Sequence, residues 1–234
     1  MRIEDINKNT NMIKMWFDNA REAAEQYYDE NPDSLIPLFE EELRDLGFSF
    51  VSSNQSIGFM PKHKKMILPI AIRYYQLAKE QQKDNEQNHF MSFFRFKGME
   101  EVIPILLEDY YSKETKNQTR WFISDCLYQI RSRSYIKEYM EIIANPAFGI
   151  NRQMIILLVG KLKIDNAISI LVNLLEDEEV RLHVISALGE FKREDLRDYF
   201  ERFQDSTHSG WRKYAKIALK KLDAAGGAPV HDLK

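Results

Sequence analysis

The sequence predicts an all-α fold, a right-handed α-solenoid of about six antiparallel helix pairs. The main observation is a repeat of four arginines at intervals of 32, 29 and 31 residues: Arg120, Arg152, Arg181 and Arg212. Apolar or small residues follow each arginine after three, seven and ten positions, the spacing of one stripe of an α-helix. A helix that recurs about every 30 residues is the unit of an α-solenoid, whose neighbouring units bury each other's stripes. The stripe residues are Ile123, Leu127, Ile130, Ile155, Val159, Leu162, Val184, Leu188, Phe191, Ala215, Leu219 and Leu222.

The composition supports a folded helical protein. Hydrophobic residues make up 44% and charged residues 29% of the 234 positions, proportions typical of a globular chain. Nine glycines and seven prolines are too few for an all-β chain with many turns. No apolar run reaches the roughly 18–20 residues that a membrane span needs, and no signal-peptide pattern begins the chain. We therefore expect a cytoplasmic protein that does not bind membranes.

The first two helices are predicted at 11–29 and 33–46, each with apolar residues on one face. Gly47 is placed to end the second helix in a left-handed conformation. Residues 47–62 show the weakest helical pattern and predict an irregular insertion, either a short hairpin or an ordered loop.

Regular helix pairs follow this insertion. They are predicted at 64–81 with 86–97, 99–112 with 118–131, 134–144 with 150–161, 165–175 with 178–191, and 194–203 with 208–222. The chain is thus expected to form one elongated domain. Its parts are an acidic helical pair with its loop (1–62), the repeat array (63–223) and a flexible tail (224–234).

The charge is unevenly distributed along the chain. Residues 1–60 hold 12 acidic against 5 basic residues, and the remainder holds 24 acidic against 28 basic residues. This distribution suggests polar partner surfaces, but the basic excess is too small to predict nucleic-acid binding from charge alone.

Side chains that bind metals or perform covalent chemistry are sparse. The single cysteine, Cys126, cannot form an internal disulfide, and its register within the repeat predicts a small core residue. The five histidines lie far apart and never at the i, i+4 spacing, so no metal site is expected. Phosphate-binding loops and local motifs of a catalytic triad are also missing, and no cofactor is expected.

Part of the chain resembles the HEAT repeat in its phycobilisome-lyase-like form. The segment 177–181 (DEEVR) followed by 185–189 (ISALG) carries the resemblance, with weaker copies around Arg152 and Arg212. The resemblance covers about 85–222. It implies that each repeated arginine bonds to an acidic residue or to turn carbonyls, which would form a ladder along the array. The ladder would comprise Arg120, Arg152, Arg181 and Arg212, with Asp177 ahead of Arg181 and Asp205 ahead of Arg212.

A second resemblance is to bacterial HEAT-like DNA glycosylases that excise alkylated bases. Trp121 and Asp125 have the spacing of that family's tryptophan and aspartate, and Arg152 heads the next repeat. The resemblance implies that Trp121 stacks on the nucleotide, Asp125 stabilises positive charge on the sugar, and Arg152 holds a phosphate. DNA-base excision, or DNA binding without catalysis, is therefore the alternative function.

The favoured hypothesis is a non-catalytic module, expected to be a monomer, that binds another protein on the concave face of the array. The second helix of each pair lines that face in HEAT-like arrays, and tryptophan, tyrosine and arginine often anchor interfaces. An immunity or inhibitor protein against a bacterial toxin, or a regulatory subunit, would be such a module. The expected contact residues are Trp121, Asp125, Tyr128, Arg131, Gln153, His183, Trp211 and Lys213.

Overall fold

The described part of the chain is helical. The computed structural model describes residues 15, 18, 19, 22, 23 and 25–226, and within these ranges it contains helices and turns but no strand. The predicted all-α class is thereby confirmed for these residues. The first predicted helix, 11–29, lies mostly outside them, although 25–30 are helical. The predicted tail also lies outside them beyond residue 226.

The described residues divide into two compact units, the first ending at Phe94 and the second beginning at Arg95. The expected parts of the chain, with boundaries after residues 62 and 223 inside one elongated domain, stay a prediction. The N-terminal unit contains α1 (Ile36–Asp45), α2 (Met60–Glu80) and α3 (Asp84–Met91), followed by a 3₁₀ turn at Ser92–Phe94.

The core of the N-terminal unit is aromatic. The ring of Phe39 lies edge-on to three other rings, at centroid distances of 5.4 Å to Tyr74, 5.2 Å to Phe90 and 4.8 Å to Phe93. Edge-to-face geometry is favourable because the positive edge of one ring meets the negative face of the other. The packing of α1 on α2 and α3 thus centres on one buried phenylalanine.

The predicted irregular insertion is shorter than expected. Gly47 ends α1 with a φ of 89°, as predicted, and residues 48–50 have no regular structure. A helical turn then spans Ser53–Ser56, a 3₁₀ turn spans Ile57–Phe59, and α2 begins at Met60. The prediction of irregular structure is therefore wrong from residue 53 to residue 62. The stacked rings of Phe48 and Phe59, 5.3 Å apart, connect the two sides of this segment, a contact between distant residues that helical periodicity does not reveal.

The C-terminal unit consists of helices in pairs. Their bounds are α4 (Ile103–Tyr111), α5 (Asn117–Ile130), α6 (Ile136–Ala144), α7 (Gln153–Lys161), α8 (Ile168–Asn173), α9 (Arg181–Leu188), α10 (Arg197–Glu201) and α11 (Ser209–Ala225). Each first helix packs on the second helix that follows it, and the second helices α5, α7, α9 and α11 pack against one another in chain order.

The core of this unit is the stripe predicted from the sequence. Of its twelve positions, ten are buried, and only Leu162 and Leu219 are half-buried. Small residues bring the second helices together on their flanks. A Cβ added to Gly160 would lie 2.6 Å from the Cα of Ala187, and one added to Gly189 would lie 3.0 Å from the Cβ of Ala218. In both contacts, the glycine lies eight residues after one repeated arginine and the alanine lies six residues after the next one.

Within the described residues, no single helix has both the length and the apolar composition needed to cross a bilayer. The helices at 136–144 and 146–161, bent by 111° at the break between them, pass this test only when taken together. Their apolar residues contribute to the core: Ile142, Ile143, Ile155, Leu158 and Val159 are all fully buried.

Candidate functional site

Three of the four repeated arginines each donate to two main-chain carbonyls that precede their own helix. Arg120 donates to the carbonyls of Tyr110 (2.9 Å) and Ser112 (2.8 Å). Arg181 donates to those of Leu175 (2.5 Å) and Glu176 (3.1 Å). The last carbonyls of a helix have no partner within that helix, so a guanidinium stabilises the turn that connects the pair.

Arg212 contacts its turn in the same way, through the carbonyls of Ser206 and Thr207. The acidic partner expected for it, Asp205, is exposed and accepts no hydrogen bond from Arg212 in the described part of the chain. Because three carbonyl-binding arginines hold equivalent turns, their guanidinium groups serve the fold rather than a ligand.

Arg152 differs from the other three arginines. Its Nε donates to the carbonyl of Gly149 (3.0 Å), and its Nη2 bonds to the carboxylate of Asp177 in the next repeat (2.5 Å). Only 1% of Arg152 is exposed. The sequence placed Asp177 with Arg181, which pairs instead with the exposed carboxylate of Glu178 at 3.2 Å. The expected pairing of Asp177 with Arg181 is therefore wrong, because the Asp177 carboxylate bonds to Arg152 at the start of α7.

Asp125 is also buried in an ion pair. Its carboxylate lies 2.5 Å from Nη2 of Arg95, a residue that the sequence patterns did not indicate, and 5% of Asp125 is exposed. Trp121, one helical turn earlier, is 36% exposed. The three residues of the glycosylase resemblance thus do not share an open site: Trp121 reaches solvent, whereas Asp125 and Arg152 are buried with counter-ions.

Trp211 is half-buried and packs against the preceding repeat. The guanidinium of Arg181 lies 4.3 Å from its ring centroid, and the ring of His208 stacks on it at 4.4 Å. Gln153 likewise contacts the next repeat, since its Nε2 donates to the carbonyl of Glu179 (2.7 Å). Both residues, expected as partner contacts, take part in packing.

The remaining expected contact residues lie at or near the surface. Lys213 and Arg131 are exposed, Tyr128 is half-buried, and the guanidinium of Arg131 lies 5.5 Å from the Tyr128 ring. His183 is half-buried, and its Nδ1 is enclosed without a hydrogen-bond partner in the described residues. Burial lowers the pKa of His183, because the protonated ring would lose hydration.

Besides Trp121, the second helices expose further apolar side chains that were not among the expected contact residues. These residues lie one, two or five positions after the repeated arginines, on the side of each helix opposite to the core stripe. All are half-buried or exposed, with Trp121 at 36% and Ile217 at 39%. Their fixed distances after the repeated arginines are the sequence signal that could have identified them. We call this set the apolar stripe: Trp121, Phe122, Met154, Leu157, Leu182, Tyr214 and Ile217.

An ion-pair chain shows that the exposed faces of three second helices are neighbours. Glu190, in the turn just after α9, lies 3.8 Å from Lys161 on α7 and 2.7 Å from Lys221 on α11. All three residues lie nine positions after their repeat arginine. Since this register adjoins that of the apolar stripe on the helix surface, the stripe also continues from helix to helix.

Basic residues follow the ends of α5, α7 and α9. Arg131, Lys163 and Lys192 each lie eleven positions after the repeat arginine, and their φ angles are 59°, 52° and 55°. A left-handed backbone costs a residue with a Cβ about 1–2 kcal/mol, and glycine is usual at this position. The helix dipole favours a cation there by only about 0.3–1 kcal/mol. We call these three residues the cation row.

Groups suited to metal binding or nucleophilic chemistry are not assembled in the described residues. No cluster of three or more histidine, cysteine or acidic side chains there has the arrangement to hold a metal ion. Cys126 is fully buried in the core, and burial raises the pKa of its thiol. No family model and no curated protein sequence matches the chain.

Proposed function

We propose that this chain is a non-catalytic HEAT-like repeat protein that binds another protein through the exposed face of its second helices. The proposal includes a right-handed solenoid of about six helix pairs. The observation that carries it is the apolar stripe, which places half-exposed apolar side chains on four successive helices.

The repeat assignment is supported by contacts between neighbouring repeats near the start of their second helices. Near the start of the second helices, Nδ2 of Asn151 donates to Oδ1 of Asn117 (3.2 Å). One repeat further on, Arg152 bonds to Asp177, and after that Arg181 lies over the ring of Trp211. A connection between every pair of neighbouring repeats is typical of a stacked array.

The stripe has the properties of a protein-binding surface. Its tryptophan and tyrosine are residue types enriched among interface anchors, and the surrounding lysines provide a polar rim. The helices beneath it are fixed by buried cores and close glycine contacts, so binding orders few additional groups. A small folded protein with an apolar patch is the partner that suits such a surface. An inhibitor, immunity or regulatory protein would act by occupying its partner in this way.

The test is capture of a partner from the native host by wild-type protein and two variants. Leu157→Glu places a charge in the middle of the stripe, whereas Lys137→Glu changes an exposed residue on α6. We expect a protein retained by the wild type and by Lys137→Glu to be lost with Leu157→Glu. The far-ultraviolet circular dichroism and Tm of both variants must match the wild type.

A second comparison uses the aromatic residues of α5. Trp121→Ala and Tyr128→Ala should weaken binding of the captured protein more than Lys62→Ala does, because an exposed lysine contributes little interface area. Equal effects of the three substitutions would contradict the assignment of the binding face. Retention of nucleic acid alone would contradict the proposal of a protein partner.

A further inference from the structure

We propose that the cation row binds an acidic segment of the partner protein, so that carboxylates contact Arg131, Lys163 and Lys192. This inference rests on the proposed function, since the row follows the ends of the helices that carry the apolar stripe. It adds the chemical character of the partner: an apolar patch bordered by aspartate or glutamate side chains.

The backbone does not require basic side chains at these positions. At Lys163 the turn is held by main-chain bonds, from its own N–H to the carbonyl of Gly160 (3.0 Å) and from the N–H of Ile164 to that of Val159 (3.3 Å). Glycine occupies the left-handed position after α1 and after α11. A glycine would therefore form the same turns without a Cβ. The turns themselves do not need the basic side chains, which occupy these positions despite the backbone strain.

Other cationic side chains near the cation row already have bonding partners. Lys161 and Lys221 share Glu190, Arg193 pairs with Asp195, and Arg133 donates to the carbonyl of Leu162 (2.5 Å). Lys163 and Lys192 are exposed, and the described residues form no ion pair within 4.0 Å of either ammonium group. Glu190 is shared between Lys161 and Lys221, so a carboxylate from another molecule could form the direct ion pairs that Lys163 and Lys192 do not form within the described residues.

The charge pattern favours an acidic protein over nucleic acid. The C-terminal unit, from residue 95 onward, holds 22 basic and 21 acidic residues, so it has little net charge. Glu190, Asp195 and Asp223 lie among the cations at the ends of the second helices and would repel a phosphate chain. A duplex presents a charge about every 1.7 Å, whereas a protein segment can place carboxylates only opposite the cations.

The test measures binding of a labelled oligo-glutamate peptide by fluorescence anisotropy at low ionic strength. The row variant carries Arg131→Asn, Lys163→Asn and Lys192→Asn, because asparagine tolerates a left-handed backbone. The control carries Lys97→Gln, Lys113→Gln and Lys137→Gln, which removes three exposed charges elsewhere in the same unit. We expect the row variant to bind about tenfold more weakly, since three modest ion pairs act together, and the control to change less than about twofold.

Further measurements keep the outcome interpretable. A variant with glycine at the three row positions should bind as weakly as the asparagine variant, with a Tm no lower than the wild type. The difference between wild type and both variants should shrink as salt is added, because exposed charges are screened. Duplex DNA of equal total charge serves as the competitor.

Three results would overturn the inference: no binding of oligo-glutamate by the wild type, equal weakening in the row variant and the control, or stronger binding of duplex DNA through the row. The proposed function fails separately. If Leu157→Glu keeps the captured partner but the row variant loses oligo-glutamate, the proposed role of the apolar stripe is contradicted and that of the cation row is supported. If the row variant binds oligo-glutamate like the wild type while Leu157→Glu loses the partner, only the row is wrong.

Discussion

The buried guanidinium of Arg152 bonds to the carboxylate of Asp177 at 2.5 Å, across 25 positions of the sequence. The pair joins two successive repeats where their second helices begin. Its members differ in exposure, since 2% of the arginine side chain and 29% of the aspartate side chain is accessible. Removing the charge of Asp177 would therefore leave a cation enclosed without its counter-ion.

Asp177→Asn should lower the free energy of unfolding by about 2 kcal/mol, because the charge of Arg152 would remain buried and uncompensated. Asparagine keeps an oxygen that can accept the Glu179 N–H, as Oδ1 of Asp177 does at 3.1 Å. Urea unfolding measures the change. Glu178→Gln is the control, since Glu178 is 77% exposed and should contribute less than about 0.5 kcal/mol. Equal losses in the two variants would contradict this account.

Gly160→Ala should destabilise the chain by about 2–3 kcal/mol, because the new Cβ would overlap the backbone of Ala187 at 2.6 Å and α7 would have to move from α9. Gly189→Ala should cost less, since the nearest atom to its Cβ would be the Cβ of Ala218 at 3.0 Å and the backbone atoms would lie at 3.4 Å or more. Gly58→Ala meets nothing within 4 Å and should leave stability unchanged or slightly higher. Thermal unfolding gives this order, and a Gly160→Ala protein as stable as Gly58→Ala would refute the close helix contact.

Stability should fall on acidification partly through His89. Burial lowers the pKa of His89 to about 4, although the nearby Glu40 opposes this shift. Between about pH 6.5 and pH 4 the unfolded chain binds a proton that the folded chain excludes, so the free energy of unfolding decreases as the pH falls. Relative to pH 8, His89→Gln should lose roughly 2 kcal/mol less than the wild type at pH 4.5. Parallel losses in urea unfolding would show that His89 does not contribute.

The thiol of Cys126 should be unreactive in the folded protein. The side chain is fully buried, and burial together with the neighbouring Asp125 raises the pKa of the thiol, so little thiolate forms. An aromatic disulfide reagent at pH 8 should release about one equivalent of chromophore in denaturant, where this single thiol is open, and much less without denaturant. Rapid reaction of the folded protein would show that α5 opens readily.

Local periodicity was sufficient to find the helices and most of their buried residues. The 0, 3, 7 and 10 spacing after each arginine identifies one helix side without knowledge of its neighbours, and ten of these twelve positions are buried. The same spacing could not show which carboxylate meets which arginine. Asp177 precedes Arg181 closely in sequence, yet it faces Arg152, because the stacking of successive helices determines that contact.

The candidate site required the same spatial information. Trp121, Lys213 and Arg131 were expected at the surface and lie there. Trp211 is half-buried against Arg181 and His208, and Asp125 is paired with Arg95. The apolar stripe was missed because its residues are individually ordinary. They form a continuous surface only when the four second helices pack together with these residues on the same side.

The sequence by itself determined the helical class, the repeat length and the side of each second helix that enters the core, since these follow from the spacing of residues along one chain segment. Tertiary structure decided the exchange of ionic partners, the burial of Asp125 and Arg152, and the ion pairs that Glu190 forms with Lys161 and Lys221. These features join residues about 25–32 positions apart, and only the packing of one helix on the next brings such residues together.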